Sequence, residues 1–232
     1  MRLKELGYDY DIKGKPLESE EQILELKPQD IFLPCSPVSP EEPADEIMFR
    51  TACFVDELLE KFYGVKPFYK LKSKEDIIGH LAIGLAPHTS AGILCRIIGF
   101  SKSQCFLAHP YIHAAMRRDC DGDESCIILL MDAFLNFSKK YLPESRGSTQ
   151  DAPLVLTYIL TPTEVDDMIF NMDIAWKYTL PFYEAARNYK DPREIKVKQV
   201  SSVLRTPLQY EKMGFTHDTA NINHGVLCSA YK

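Results

Sequence analysis

The sequence predicts an α+β fold in which helices flank a compact β-barrel. Two short β-rich stretches, residues 77–85 and 93–100, are punctuated by glycines, which is typical of strands that bend at barrel corners. Apolar residues at helical intervals indicate one helix over 47–62 and a second from Ser125 to about Tyr141. With 232 residues, 45% of them hydrophobic, the chain can bury a good core as one large or two small domains.

Residues 1–70 are predicted to form a turn-rich segment followed by a single helix. Four closely spaced prolines exclude regular structure before the helix begins: Pro34, Pro37, Pro40 and Pro43. The apolar residues that recur at helical intervals are Ile47, Val55, Leu58, Leu59 and Phe62. Gly64 and Pro67 then end the helix.

Residues 71–160 are predicted to form the barrel. The two β-rich stretches are joined by a turn at 86–92, and a third apolar stretch follows at 105–108. After the second predicted helix, which has Ser125 as its N-cap and is ended by Pro143, residues 152–160 favour one more strand.

Residues 161–232 are predicted to be a helical and irregular segment. Thr163 caps a helix that extends through Trp176, and another helix spans residues 182–189. Trp176 and the tyrosines near it are assigned to the core, and Arg96, in an apolar strand, is expected to form a structural ion pair.

The most informative feature is the hexapeptide Asp119-Cys120-Asp121-Gly122-Asp123-Glu124, which places four carboxylates in one short loop. Two carboxylates about 4 Å apart repel by roughly 4 kcal/mol at an effective dielectric of ~20. Such crowding needs a compensating positive charge, which is either a divalent cation or the side chains of Arg117 and Arg118. The loop is expected to lie beside the N-terminus of the helix that Ser125 caps, which favours ionised carboxylates.

The spacing of the carboxylates suits a metal ion. In an extended stretch Asp119, Asp121 and Asp123 point to one side, and Gly122 permits a tight bend. Closely spaced aspartate oxygens are ligands for Mg²⁺ or Mn²⁺. A solvated acidic turn is the alternative. An EF-hand is excluded, because glycine falls at the fourth position rather than the sixth and Leu130 occupies the twelfth.

The charge and the cysteine content of the chain indicate which partners and which cellular location to expect. The net charge of −6 gives no general attraction to nucleic acid. The seven cysteines contain no Cys-x-x-Cys pair and their number is odd, which favours reduced thiols and a cytoplasmic location. The charged N-terminus does not fit a signal peptide, and no apolar run is long enough to span a membrane, so we expect no membrane partner.

Seven blocks in order along the chain resemble the large subunit of archaeal family-D DNA polymerase. They are residues 24–30, 79–92, 109–124, 133–138, 141–147, 151–157 and 215–219, of which His109 to Glu124 resembles the active-site segment. The resemblance implies a double-psi β-barrel, which that family shares with multisubunit RNA polymerases. It covers nearly the whole chain and is weakest over residues 34–46.

The resemblance also implies roles for individual residues. Asp121 and Asp123 match the family's catalytic, metal-binding aspartates. Asp119 stands where the family is expected to have asparagine, so metal-ligand and supporting roles are left open for it. Arg117 and Arg118 are expected to bind nucleotide or nucleic-acid phosphate in preference to the loop's carboxylates.

Arg146 is expected to be exposed on the predicted loop 145–150 and is a third candidate for phosphate contact, with a plain surface arginine as the alternative. His109 and His113 are expected to serve in packing and hydrogen bonding, because Mg²⁺ prefers oxygen ligands.

The implied activity is two-metal nucleotidyl transfer by a DNA-dependent DNA polymerase. Its cofactor is Mg²⁺ or Mn²⁺, and its substrates are primer–template DNA and deoxynucleoside triphosphates. The family's subunit is several times longer, so the implied partners are the remaining part of the large subunit and a small exonuclease subunit, without which the chain is not expected to be active. A non-catalytic assembly or nucleic-acid-binding module is the alternative. A metal-dependent phosphohydrolase ranks lower, because no separate nucleophile or general base accompanies the aspartates.

Overall fold

The computed structural model describes residues 2–35, 43–86, 91–118, 122–136, 155–163, 165, 167–214 and 220–224. Within these ranges the fold is α+β, as predicted, with one six-stranded sheet and a few short helices. The strands are β1 (Asp30–Pro34), β2 (Leu81–Leu85), β3 (Ala91–Ser101), β4 (Leu107–Ala108), β5 (Cys126–Leu129) and β6 (Val155–Thr157).

The sheet is organised around β3, its longest strand. The strand order is β4-β1-β3-β2-β5, with β6 also paired to β3. Strand β2 runs antiparallel to both β3 and β5, whereas β1 and β6 run parallel to β3. Since β6 pairs with residues 91–93 and β1 with residues 96–101, both occupy the edge of β3 opposite β2.

The side chain of Gln29 bridges the junction between β6 and β1. Its amide Nε2 donates to the carbonyl oxygen of Leu94 in β3 at 2.9 Å and to that of Tyr158, just after β6, at 3.1 Å. One side chain therefore satisfies two backbone acceptors at the point where the edge of β3 changes partner.

Five α-helices lie within the described residues: α1 (Arg2–Leu6), α2 (Ala44–Lys61), α3 (Pro110–Ala115), α4 (Leu130–Asn136) and α5 (Leu180–Arg187). The predicted first helix is α2, which buries Met48, Ala52, Val55 and Leu59. Ile47 and Phe62, which were predicted to belong to the apolar face of α2, are largely exposed. Among all the residues that the structure describes, no helix is both long and apolar enough to cross a membrane.

One predicted helix is correct only in part, and another is wrong. Of the helix predicted from Ser125 to about Tyr141, residues 126–129 form β5 and pair with β2, residues 130–136 form α4, and the remainder lies outside the described residues. Cys126-Ile-Ile-Leu129 is a short apolar run, whose periodicity does not distinguish a strand from a buried helix. Where residues 163–176 are described, they contain one 3-10 helix, Asp167–Asn171, and no α-helix. The helix predicted over 182–189 is confirmed as α5, displaced towards the N-terminus by two residues.

The predicted strands are confirmed with shorter or shifted bounds. The stretch 77–85 begins as strand only at Leu81, because Ile77 closes a 3-10 turn, and the stretch 93–100 lies within β3. The turn at 86–92 and the predicted strand at 152–160 each include residues outside the described ranges.

Both faces of the sheet are covered. In β1, Ile31 and Leu33 pack into the main core with Val55 of α2, whereas the intervening Phe32 packs into a second cluster. This alternation is that of a strand between two apolar layers. The second cluster contains residues from the N-terminal segment, among them Ile23 and Leu24, so that segment forms the cover of one face.

Candidate active site

The acidic loop connects α3 to β5 and is described only from Gly122 onward. Of the six predicted site residues, the structure places Asp123, Arg117 and Arg118. Asp119, Asp121 and Arg146 lie outside the described residues, so their predicted roles stay predictions. In the sequence, the two arginines come directly before the loop and after α3.

Helix α3 fixes the point from which the loop leaves. His109 is its N-cap, and the Nδ1 atom of His109 accepts a hydrogen bond from the backbone N–H of Tyr111 at 3.2 Å. Pro110 occupies the first turn, where its missing N–H leaves no unpaired donor. Tyr111 and Ile112 are fully buried. The helix is therefore held firmly in the core, immediately before the loop.

Two residues with positive φ lie at the loop, Arg117 before it and Gly122 within it. Arg117 has a φ of 55° and Gly122 a φ of 112°, and both values lie in the left-handed region. Glycine adopts such a φ without steric strain, as predicted for Gly122, whereas arginine does so at a cost. Strand β5 follows at Cys126, so the predicted helix N-terminus beside the loop is wrong, and no helix dipole at that end stabilises the carboxylates.

Arg118 and Asp123 form a long, partly exposed ion pair. Their Nη1 and Oδ2 atoms are 3.7 Å apart, and the exposed fractions of the two side chains are 26% and 42%. The same Nη1 donates to the carbonyl oxygen of Arg117 at 3.2 Å, while Nε of Arg118 is buried and has no hydrogen-bond partner among the described residues. A pair this long and this exposed contributes little stability.

A cleft of about 400 Å³ lies beside the two arginines. It is formed by the start of β3, the end of α3 and the segment after β6, and its lining residues are Ala91, Ile93, Ala114, Ala115, Arg117, Thr157, Ile159, Leu160, Thr161 and Val165. Its lining combines apolar side chains with the polar side chains of Arg117, Thr157 and Thr161. The sequence interpretation missed Thr157 and Thr161, because isolated threonines carry no motif.

The described residues supply only part of the predicted metal site. Among them, no three histidine, cysteine, aspartate or glutamate side chains lie together as a metal-binding group. Asp123 is exposed shortly before β5, and its carboxylate oxygens are of the type that Mg²⁺ accepts. The described part of the loop is thus chemically suited to the ion.

A buried ion pair joins the N-terminal segment to the centre of the sheet. Arg96 donates from Nε to Oδ1 of Asp30 at 2.8 Å and from Nη2 to Oδ2 at 2.7 Å, which confirms the expected structural ion pair. The hydroxyl of Tyr8 also donates to Asp30, at 2.6 Å. Burial and the Asp30 charge raise the pKa of Tyr8, so its phenol keeps its proton. The sequence interpretation did not identify Asp30 as the partner.

The two histidines before the loop are neutral at pH 7; His109 is buried and His113 is half-buried. Burial lowers the pKa of both His109 and His113 to about 4. In the unfolded chain histidine titrates near ~6.5, so between these values the unfolded state binds more protons. The stability that the neutral histidines contribute is therefore fully present above pH ~6.5, and it is lost as the pH falls from about 6.5 to about 4.

We expect this titration to appear as acid destabilisation. Between neutral pH and pH ~4, His109 alone should lower the free energy of unfolding by about 3 kcal/mol. Urea unfolding curves at several pH values measure the change. His109→Asn retains a side-chain acceptor for the cap, and should flatten the curve over this range. The same steepness in the variant would contradict the assignment.

The whole chain matches a known family. The family model for "DNA polymerase II large subunit DP2, catalytic domain" matches residues 1–232. The chain is 54% identical to the DNA polymerase II large subunit of Archaeoglobus fulgidus, 53% to that of Pyrococcus furiosus and 50% to that of Methanococcus vannielii. Each alignment includes 100% of this chain and 18–20% of the relative, so the chain spans about a fifth of their length. The chain therefore belongs to the family of the DNA polymerase II large subunit, as a segment that corresponds to its catalytic domain.

Proposed function

We propose that the chain is the catalytic portion of a DNA-dependent DNA polymerase large subunit and that the acidic loop is its centre of nucleotidyl transfer. The single observation that carries this proposal is the match of the catalytic-domain family over all 232 residues. The geometry supports it, because the loop lies next to two arginines and one of them lines a cleft of about 400 Å³.

In this proposal, Asp121 and Asp123 hold Mg²⁺ or Mn²⁺, with Asp119 as a further ligand or as a support for the ligands. Two such ions would activate the primer hydroxyl and stabilise charge on the transferred phosphate. Arg117, Arg118 and Arg146 bind phosphate oxygens. For Arg118, the long and partly exposed contact with Asp123 is readily exchanged for a contact with such an anion.

The finer architecture and the partners belong to the same proposal. We propose that the five strands of the sheet that lie within residues 71–160 belong to a double-psi β-barrel, to which β1 from the N-terminal segment pairs as a further strand. Residues 1–70 and 161–232 flank it. The partners are primer–template DNA, deoxynucleoside triphosphates, the rest of the large subunit and a small exonuclease subunit, in the cytoplasm. The relatives are about five times longer, which leaves room for the segments that complete the site.

The proposal predicts that the isolated chain binds metal but does not polymerise. With a net charge of −6 it should attract duplex DNA poorly, and most of the groups that hold the primer–template duplex are expected on other segments. Manganese titration monitored by water-proton relaxation should show one weak site that Asp121→Asn with Asp123→Asn removes. Extension should require the complex with the rest of the large subunit and the small subunit. Robust nucleotide incorporation by the isolated chain would contradict the proposal.

A further inference from the structure

A basic–aromatic surface lies around α5 and the turn that follows it, and the proposed catalytic site uses none of its residues. Its members are exposed cations and exposed tyrosines. They are Lys177, Tyr183, Arg187, Tyr189, Lys190 and Lys196. We refer to these six residues as the α5 surface.

The charge of the α5 surface is opposite to that of the chain. Residues 177–198 contain six lysines and arginines and three acidic residues, whereas the whole chain carries −6. Arg193 pairs with Asp191 at 2.6 Å, and Lys198 donates to the carbonyl oxygen of Lys212. The four cations of the α5 surface form no ion pair within the described residues, so they present their charge to solvent.

Tyr183 is exposed and yet held in place. It is 57% exposed, and its ring makes edge contacts with Phe182 and Tyr178 at centroid distances of 5.6 and 6.4 Å. Those two rings stack on each other at 4.1 Å, and the Tyr178 hydroxyl donates to Asp173 at 2.8 Å. An exposed ring fixed in this way loses little conformational entropy when a planar ligand stacks on it.

Tyr189 occupies a position that favours glycine. The N–H groups of Tyr189 and Lys190 donate to Ala186 and Ala185, both at 3.1 Å, which is the hydrogen-bond pattern that ends a helix with one left-handed residue. Tyr189 is that residue, with a φ of 53°, and it is 96% exposed. The Tyr189 ring is therefore not used in the core of the protein, and its faces are open to a ligand.

We propose that the α5 surface binds single-stranded DNA. Lysine and arginine neutralise backbone phosphates, and exposed tyrosines stack on bases that are free of a complementary strand. Stacking of neighbouring base pairs in a duplex covers the base faces, so the two tyrosines favour a single strand, whose bases can unstack. Family membership points to DNA as the polymer, but the inference requires no catalysis by the acidic loop, and its test is a binding measurement.

A protein interface is the competing use of this surface. Leu180 is 69% exposed beside Tyr183 and would suit a contact with another segment of a longer subunit. Four unpaired cations favour phosphate over such a contact, because burying them against protein would require matching carboxylates. The experiment below includes this alternative as an outcome.

The test is fluorescence anisotropy of a labelled oligothymidylate of about 16 nucleotides, titrated with the 232-residue chain at low salt. Circular dichroism checks that each variant is folded. If four cations contact phosphates, the logarithm of the association constant should fall with the logarithm of salt concentration with a slope of about −3. Lys177→Ala with Arg187→Ala, Lys190→Ala and Lys196→Ala should abolish binding, and each single change should reduce the slope by about 0.7.

Tyr189→Gly separates binding from folding. It relieves the left-handed strain, so the melting temperature should stay the same or rise, while the affinity for the oligonucleotide should fall at least about fivefold. Lys70→Gly is the matched control. Lys70 is exposed and has the same φ of 53°, so its replacement relieves similar strain and removes a cation elsewhere on the chain. Its affinity should match that of the wild type.

Three results would overturn the proposal. One is a folded wild-type chain that does not bind the oligonucleotide at low salt, and another is tighter binding to duplex than to single strand. The third is that the variants of the α5 surface bind DNA as the wild type does but fail to associate with the rest of the large subunit. That result would assign the surface to protein contact.

Discussion

Replacing Asp123 with asparagine should abolish primer extension by the polymerase reconstituted from the large-subunit segments and the small subunit. Asparagine keeps the size of the side chain but removes the charge that a divalent ion requires. A loss of several kcal/mol of transition-state stabilisation corresponds to a rate at least about 100-fold lower. Asp121→Asn should have the same effect. Primer extension on a labelled template, under single-turnover conditions, measures the rate directly.

The matched control for this experiment is Glu124→Gln. It removes one negative charge from the same exposed stretch, but it is the carboxylate next in sequence to Asp123 and has no proposed role in metal binding. Its rate should stay within a few-fold of the wild type. Near-normal extension rates for the Asp121 and Asp123 variants, equal to the rate of Glu124→Gln, would show that the loop is not the catalytic centre. The non-catalytic module would then be the better hypothesis.

Asp30→Ala should destabilise the chain by about 3 kcal/mol, which is a large part of the 5–15 kcal/mol typical of a folded domain. The Asp30 side chain is 4% exposed and accepts from both Arg96 and Tyr8. Its removal leaves the Arg96 charge and the Tyr8 hydroxyl without their acceptor in a largely dry environment. The midpoint of urea unfolding at pH 7 should therefore move to clearly lower denaturant.

Two further variants show that the effect comes from an orphaned charge. Asp30→Leu combined with Arg96→Met removes both charges and should cost less than Asp30→Ala alone. Glu57→Ala breaks the pair with Lys61, which also joins a carboxylate to a cation but lies in solvent, and should leave the midpoint almost unchanged. Equal losses from the double variant and Asp30→Ala would show that shape rather than charge pairing determines stability here.

The sequence predicted those parts of the fold that have a clear period or strong punctuation. The helix over 47–62, the two glycine-punctuated strands and the helix that became α5 were found because their residue spacing matches one kind of secondary structure. Residues 126–129 were misassigned because four consecutive apolar residues fit either a strand or a buried helix, and pairing with β2 decided between them. That pairing joins Ala82 to Leu129, which no local pattern reports.

Only part of the site could be predicted from the sequence, because local patterns do not report contacts between distant residues. The acidic loop is contiguous, so its chemistry could be inferred from one hexapeptide and the family resemblance. The cleft beside Arg117 combines residues from β3, α3 and the segment after β6, which come together only in the folded chain. The partner of Arg96 was missed because Asp30 is 66 residues away in the sequence.

The position of β3 has a consequence for the way in which the chain folds. Its partner β1 lies about 65 residues earlier and its partner β6 about 65 residues later, and Gln29 contacts Tyr158 across 129 positions. Contacts between such distant residues close slowly, because the loops that join them must first lose their freedom. During synthesis on the ribosome, the edge of β3 that β6 covers stays open until residue 157 has emerged. An open strand edge invites pairing with other chains. The sheet that carries the site is therefore completed late, and the nascent chain is most exposed to aggregation in that interval.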